Sequence, residues 1–180
     1  ASALDRSDAN YERNLLEALW VTWGHHQVDQ DLLRQCLSAG KHQTRSAAVR
    51  VLRYAYKQVD GYEALFKQAA NDSHPRVRLE SIVAASWMDN DTGARIFLEG
   101  IKNPVTKWMG HTITAILETL GDDITRLYQT KQIDLSDNPA GMAFVEGTYV
   151  PYPYEKKYER PPETSMPAAA LAVWEIGREV

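Results

Sequence analysis

The sequence predicts an all-α fold, an α-solenoid in which short and long helices alternate and each pair leans on its neighbour. Three observations point to it. Apolar stripes with helical spacing recur along the chain at a nearly constant offset: Leu32, Leu33, Cys36 and Leu37 are answered by Leu65, Phe66, Ala69 and Ala70, and Leu65, Phe66 and Ala69 in turn by Phe97, Leu98 and Ile101. Prolines and short polar clusters punctuate the intervals. Residues 1–135 show no alternation of the kind a strand requires. With 180 residues, 44% of them hydrophobic, the chain has enough apolar material for one continuous core.

The elements follow in order. A first helix, about Tyr11 to Trp23, puts Leu15, Leu16, Leu19, Trp20 and Trp23 on one face and opens the array with no helix before it. The Leu32–Leu37 stripe predicts a short second helix, and residues 44–56 a long third one. The pattern repeats with a short helix around Leu65–Ala70 and a long one over residues 77–88, then a short helix around Phe97–Ile101 and a long one over 105–120. Pro75 and Pro104 each precede an apolar-periodic stretch, where a proline in the first helical turn loses no needed N–H. Asn71-Asp72-Ser73, Asp89-Asn90-Asp91-Thr92 and Gly121-Asp122-Asp123 read as caps and turns. A helix pair of this size cannot bury its own apolar face, so Leu19, Trp20, Leu52, Phe66, Ile82, Phe97 and Ile116 are expected to form a core shared between neighbours. Each such burial contributes roughly 1.5–3 kcal/mol.

After the array (1–135), six of the eight prolines lie between residues 139 and 167, with Tyr149, Tyr152, Tyr154 and Tyr158 among them. Residues 136–167 therefore read as an extended, polyproline-like segment. It is either a linker or a strap whose tyrosines pack along the array or are offered to a partner. Residues 168–180 read as a short C-terminal helix with Leu171 and Trp174 buried, capping the array or starting a further domain.

The stretch Asp72-Ser73-His74-Pro75-Arg76-Val77-Arg78 resembles the D-x-x-P-x-V-R signature of HEAT and short HEAT-like repeats. That resemblance implies a ladder between neighbouring repeats, made by an acid in the turn and an Arg six residues on, here Asp72 and Arg78. In the preceding copy Arg45 is present but Ala39 stands where the acid would be, and the later copy has Lys107 preceded by Ile101, which leaves the ladder incomplete. A narrower resemblance runs through Leu16-Glu17-Ala18-Leu19-Trp20, Val28 to Leu33, Arg45 to Leu52, His74 to Glu80 and Asp137 to Gly141. In this order they are similar to the HEAT region of planctomycete-type haem-binding or membrane-bound dehydrogenase proteins. The resemblance implies a non-catalytic middle segment of a longer extracytoplasmic redox protein, between a β-propeller and a c-type cytochrome domain. This segment lacks the haem motif C-x-x-C-H, since Cys36 is followed by Leu37-Ser38-Ala39-Gly40, and no cofactor is expected on it.

Catalytic and metal constellations are weak. None of His25, His26, His42, His74 and His111 forms the i, i+4 pair that puts two imidazoles on one helix face. His42 and His74 occupy matching helix starts and are expected on the order of 10 Å apart, the separation of packed helices. Asp89/Asp91 and Asp122/Asp123 sit where carboxylates cap helices. Cys36 falls on an apolar stripe and reads as a buried, inert thiol. The segment is thus expected not to be an enzyme, although catalysis of an unrecognised type through His25, His26 or His111 is an alternative.

Charge is the feature that points towards a partner. The chain carries −4 in all, yet residues 41–80 hold eight basic side chains against four acidic, a local +4, while residues 1–40 and 81–140 each come to −3. Arg50 and Arg53 lie on a long helix of the kind that lines the concave surface of HEAT arrays, with Tyr54 and Tyr56 nearby. These four, with Tyr152 and Tyr154 of the tail, are the candidate partner-binding residues, and Arg45, Asp72 and Arg78 the candidate structural ladder. The expected role is a protein-interaction scaffold that binds a partner or other domains of the same parent chain. The alternative is nucleic-acid or anion binding through the basic face of 41–80, against which the acidic total weighs. No stretch approaches the roughly 18 apolar residues of a membrane span, and Ala1-Ser2-Ala3-Leu4-Asp5 lacks the basic and apolar regions of a signal peptide. The expected compartment, by resemblance, is extracytoplasmic, with a cytoplasmic one left open.

Overall fold

A computed structural model describes residues 7–152. The expected C-terminal helix at 168–180 and residues 153–167 of the proline-rich segment, Tyr154 included, lie outside the described residues. Among the described residues all regular structure is helical: α1 (Tyr11–Gly24), α2 (Gln30–Leu37), α3 (His42–Ala55), α4 (Tyr62–Ala70), α5 (Pro75–Ala85), α6 (Asn90–Ile101), α7 (Lys107–Gln129) and α8 (Pro139–Val145), with a 3₁₀ turn at Tyr56–Gln58 after α3. The all-α expectation holds. No helix in this part is long and apolar enough to cross a membrane.

Helix starts are built locally. Asp29 accepts hydrogen bonds from the N–H groups of Asp31 and Leu32 at 3.0 Å each, and Asp89 accepts one from Thr92 N at 3.0 Å. These satisfy donors that a helix leaves without an internal partner. Pro75 occupies the first turn of α5, as expected, whereas Pro104 sits in the loop before α7, whose N-cap is Thr106. The start of α3 has no side-chain cap of its own. Glu12 of α1 supplies one from a distance, accepting from Gly40 N at 2.7 Å and Lys41 N at 2.9 Å.

Apolar faces then order the helices. α1 lies on α3, α3 on α5 and α5 on α7, while α4 lies on α6 and α6 on α8; sequence neighbours α1/α2, α2/α3, α4/α5, α5/α6 and α6/α7 also pack. Leu19, Leu52, Phe66, Ile82, Phe97 and Ile116 are all buried in one contiguous core. Trp20 is not: 47% of it is exposed, because Leu15, Leu16 and Leu19 already fill the inward stripe of α1 and the next residue lies about 100° around the helix.

Two boundaries differ from expectation. Gly121-Asp122-Asp123 does not end a helix; α7 runs through it to Gln129, because Ile113, Ile116, Leu120, Ile124 and Leu127 continue one buried stripe without a break. Gly121 is there for packing, since a Cβ on it would stand 2.9 Å from the tip of the Phe144 ring. The tail is also not extended from residue 136. Pro139–Val145 forms α8, with Pro139 in its first turn and Asn138 as cap, accepting from Gly141 N at 2.9 Å. Asn138 is almost wholly buried and donates to Leu98 O at 2.9 Å, which ties α8 to α6.

Candidate functional site

The turns before α3 and α5 are stapled in the same way. Arg45 donates to the carbonyls of Ala39 and Gly40, both at 2.8 Å, and Arg78 to those of Asp72 at 2.9 Å and Ser73 at 3.3 Å. Each arginine then reaches the next turn. Arg45 grips the Asp72 carboxylate with two bonds of 2.7 and 2.9 Å, and Arg78 donates to Pro104 O at 2.9 Å. The acid missing at Ala39 is therefore no gap, because the carboxylate an arginine meets belongs to the following turn. Where that turn has no acid, a backbone carbonyl takes the place. Burial alone would raise the pKa of Asp72, but the Arg45 hydrogen bonds, the His74 N–H and the Arg45 charge together hold it below its ordinary value.

His42 and His74 overturn the expectation that their rings stand as far apart as the helix axes. The two imidazoles stack with centroids 3.5 Å apart and planes within 7°. His42 is the first residue of α3 and His74 the extended N-cap of α5, so both side chains leave from the turns at the helix ends and can meet there although the axes stay apart. His74 Nδ1 accepts from Arg76 N at 3.2 Å, which assigns that nitrogen as unprotonated. Burial, then the neighbouring His42, lowers its pKa, with Asp72 opposing and Arg45 and Arg78 adding to the fall. His25, His26 and His111 are exposed, the first two where α1 ends, and His26 has a left-handed φ of 60°. Among the described residues no group of three or more His, Cys, Asp or Glu is placed to hold a metal.

Cys36 is fully buried, and burial, with a smaller push from Glu12, raises its thiol pKa to about 12. Asp89 caps α6 as expected, but Asp122 and Asp123 lie inside α7 and cap nothing; Asp91 and Asp123 both pair with Arg126, and Asp122 is exposed.

The predicted partner-binding residues separate into two groups. Arg50, Arg53 and Tyr54 come together, joined by Trp23, Arg76, Glu80 and Trp87. Trp23 stacks on Tyr54 with centroids 5.6 Å apart and planes within 18°, and Trp87 meets Tyr54 edge-on at 5.5 Å. The Arg53 guanidinium carbon lies 4.8 Å from the Tyr54 ring centre and 5.3 Å from that of Trp87. Beside it, Glu80 is buried among three arginines: Arg50 at 2.5 Å, Arg76 at 3.4 Å and Arg53 at 3.9 Å. One carboxylate among three guanidiniums leaves an excess of two positive charges. The hydrogen bond to Glu80, and then its charge, raises the Arg50 pKa.

Tyr56 stands apart, packing edge-on against Tyr62 at 5.1 Å. Tyr152 is half-buried at the end of the described residues. Sequence reasoning missed Trp23, Arg76, Glu80 and Trp87. The repeat spacing carried a signal for one of them, since Trp87 follows Tyr54 at the same offset as Arg78 follows Arg45. No family model, curated protein or solved structure matches the chain.

Proposed function

We propose that the chain is a non-catalytic protein-interaction scaffold, an α-solenoid of short HEAT-like helix pairs whose binding face is centred on Tyr54. One observation carries the reading: Trp23, Tyr54 and Trp87, at or just beyond the C-terminal ends of the consecutively packed helices α1, α3 and α5, form one aromatic run with Arg53 against it. Tyr54 and Trp87 are about half exposed, at 49% and 56%. Aromatics and arginine held together at a surface are the side chains that dominate protein interfaces. The packing of α1, α3, α5 and α7 in one line, and the stapled turns, support the solenoid reading.

The test is to purify native assemblies of the chain and of a Tyr54→Ser/Trp87→Ser variant and to weigh them by mass spectrometry. A defined partner retained by the parent and lost by a variant with unchanged circular dichroism is the expected result. Identical assemblies from both would refute the reading. On the resemblance of its sequence blocks, we further propose that the segment belongs to a longer extracytoplasmic redox protein and holds domains of that chain in place. A parent reading frame with neither a propeller before it nor C-x-x-C-H after it would remove that context.

A further inference from the structure

We propose that the partner presents a short acidic segment to this face, its carboxylates taken by Arg53, Arg50 and Arg76 and its apolar side chains by Trp87 and the edge of Tyr54. This rests on the interaction reading above and names the chemistry of the partner. Arg53 carries the argument. Its side chain is only 10% exposed, and its Nε has no hydrogen-bond partner. One terminal nitrogen donates to Tyr54 Oη at 3.1 Å, and the other lies 3.9 Å from Glu80, beyond hydrogen-bond reach. A guanidinium offers five N–H donors; Nε is enclosed, so the carboxylate of a partner would be met at the terminal nitrogens, one of which makes no hydrogen bond to Glu80. Arg50 and Arg76 flank it about half exposed, at 49% and 54%, so an incoming anion can reach them while Glu80 holds them in place.

Two observations favour a peptide over a nucleic acid. Tyr54 already stacks on Trp23 and holds the Arg53 guanidinium against its ring, which leaves less of its face to a stacked base. The positive zone is also short: residues 41–80 carry +4, but those on either side, 1–40 and 81–140, carry −3 each, and α7 exposes Glu118 and Asp122. A long polyanion would meet like charge beyond the site, whereas a short acidic segment would not. From Arg76 to Ala85, just before the turn that carries Trp87, is roughly 13 Å of helix rise, the reach of about four extended residues.

The experiment uses the full chain and three fluorescein-labelled probes in about 50 mM salt. One is a ten-residue peptide of Asp, Glu and Leu, one its Asn/Gln counterpart, and one an oligothymidylate of equal length. The acidic peptide is expected to bind at least about tenfold more tightly than its amide counterpart and more tightly than the oligonucleotide. Binding should weaken about threefold to tenfold in Arg76→Gln and in Arg50→Gln, whose half-exposed side chains can change without opening the core. Arg53→Met should abolish the preference for acid over amide. Equal binding of acidic and amide peptides would overturn the acidic partner and leave the interaction face standing. Tighter binding of the oligonucleotide would replace the peptide by a polyanion. If no peptide binds while the Tyr54→Ser/Trp87→Ser variant still loses the native assembly, the acidic partner falls and the scaffold stands; if the assembly is also unaffected, both fall.

Discussion

Removing the Asp72 carboxylate should weaken the whole array, because that group joins two consecutive turns. It accepts two bonds from Arg45 at 2.7 and 2.9 Å and a third from His74 N at 2.8 Å. Both side chains are largely out of water, at 12% exposure for Asp72 and 15% for Arg45. An exposed pair would contribute about 0–1 kcal/mol, and breaking a fully buried one costs about 3–5 kcal/mol. Arg45 keeps its bonds to Ala39 O and Gly40 O when Asp72 is lost, so its charge is not stranded and the lower half of that range applies. We expect Asp72→Ala to cost about 3 kcal/mol, a fall of roughly 6–12 °C in Tm for a chain of this size. Asp72→Asn, which still caps His74 N, should cost about half as much. Urea unfolding of Asp72→Ala, Arg45→Met and the double variant completes a cycle, whose coupling should reach about 2 kcal/mol. Coupling below about 0.5 kcal/mol would refute the claim that the clamp joins the turns.

Acid should act on this region in two steps. The fold lowers the pKa of His74, so its stabilising contribution is complete above the ordinary value of 6.5 and is lost as pH falls through the folded one. Asp72 is likewise lowered, and its contribution disappears only below the ordinary 3.8, as pH falls through its folded value. Urea midpoints measured across pH should decline first on the acid side of 6.5, and His74→Asn, which can still cap Arg76 N, should remove that first decline alone. Gly93→Ala should cost about 3 kcal/mol, because the new Cβ would stand well inside van der Waals contact with the Ala85 carbonyl oxygen, whereas Gly24→Ala meets nothing within 4 Å and should stabilise by about 0.5 kcal/mol. Thermal melts of both variants check the pair. Phe66→Ala should cost about 3–5 kcal/mol and Trp20→Ala less than about 1 kcal/mol, since the first side chain is fully buried and the second half exposed. Equal losses in denaturant titrations would show that the faces of α1 and α4 are misassigned.

The sequence by itself determined that the described residues up to the end of α7 fold as helices, where the stripes lie, and that Cys36 is buried. Periodicity at the helical repeat names the inward side of a helix, and local chemistry names its starts, as at Asp89 and Pro75. Tertiary structure alone decided which distant groups meet. Glu12 caps α3 from 28 residues away, Arg45 finds Asp72 across 27, and Glu80 settles among Arg50, Arg53 and Arg76. Each of these pairings depends on how far one helix is offset along its neighbour, a quantity that a stripe does not encode. The same limit explains Trp20 and the His42–His74 stack. A stripe shows which residues can face inward but not which of them the neighbour has room to cover, and axis spacing does not tell how side chains lean beyond the helix ends. At Gly121 the apolar period outlasts a local stop signal, since continuing the buried stripe and seating Phe144 outweigh the weak helix propensity of one glycine.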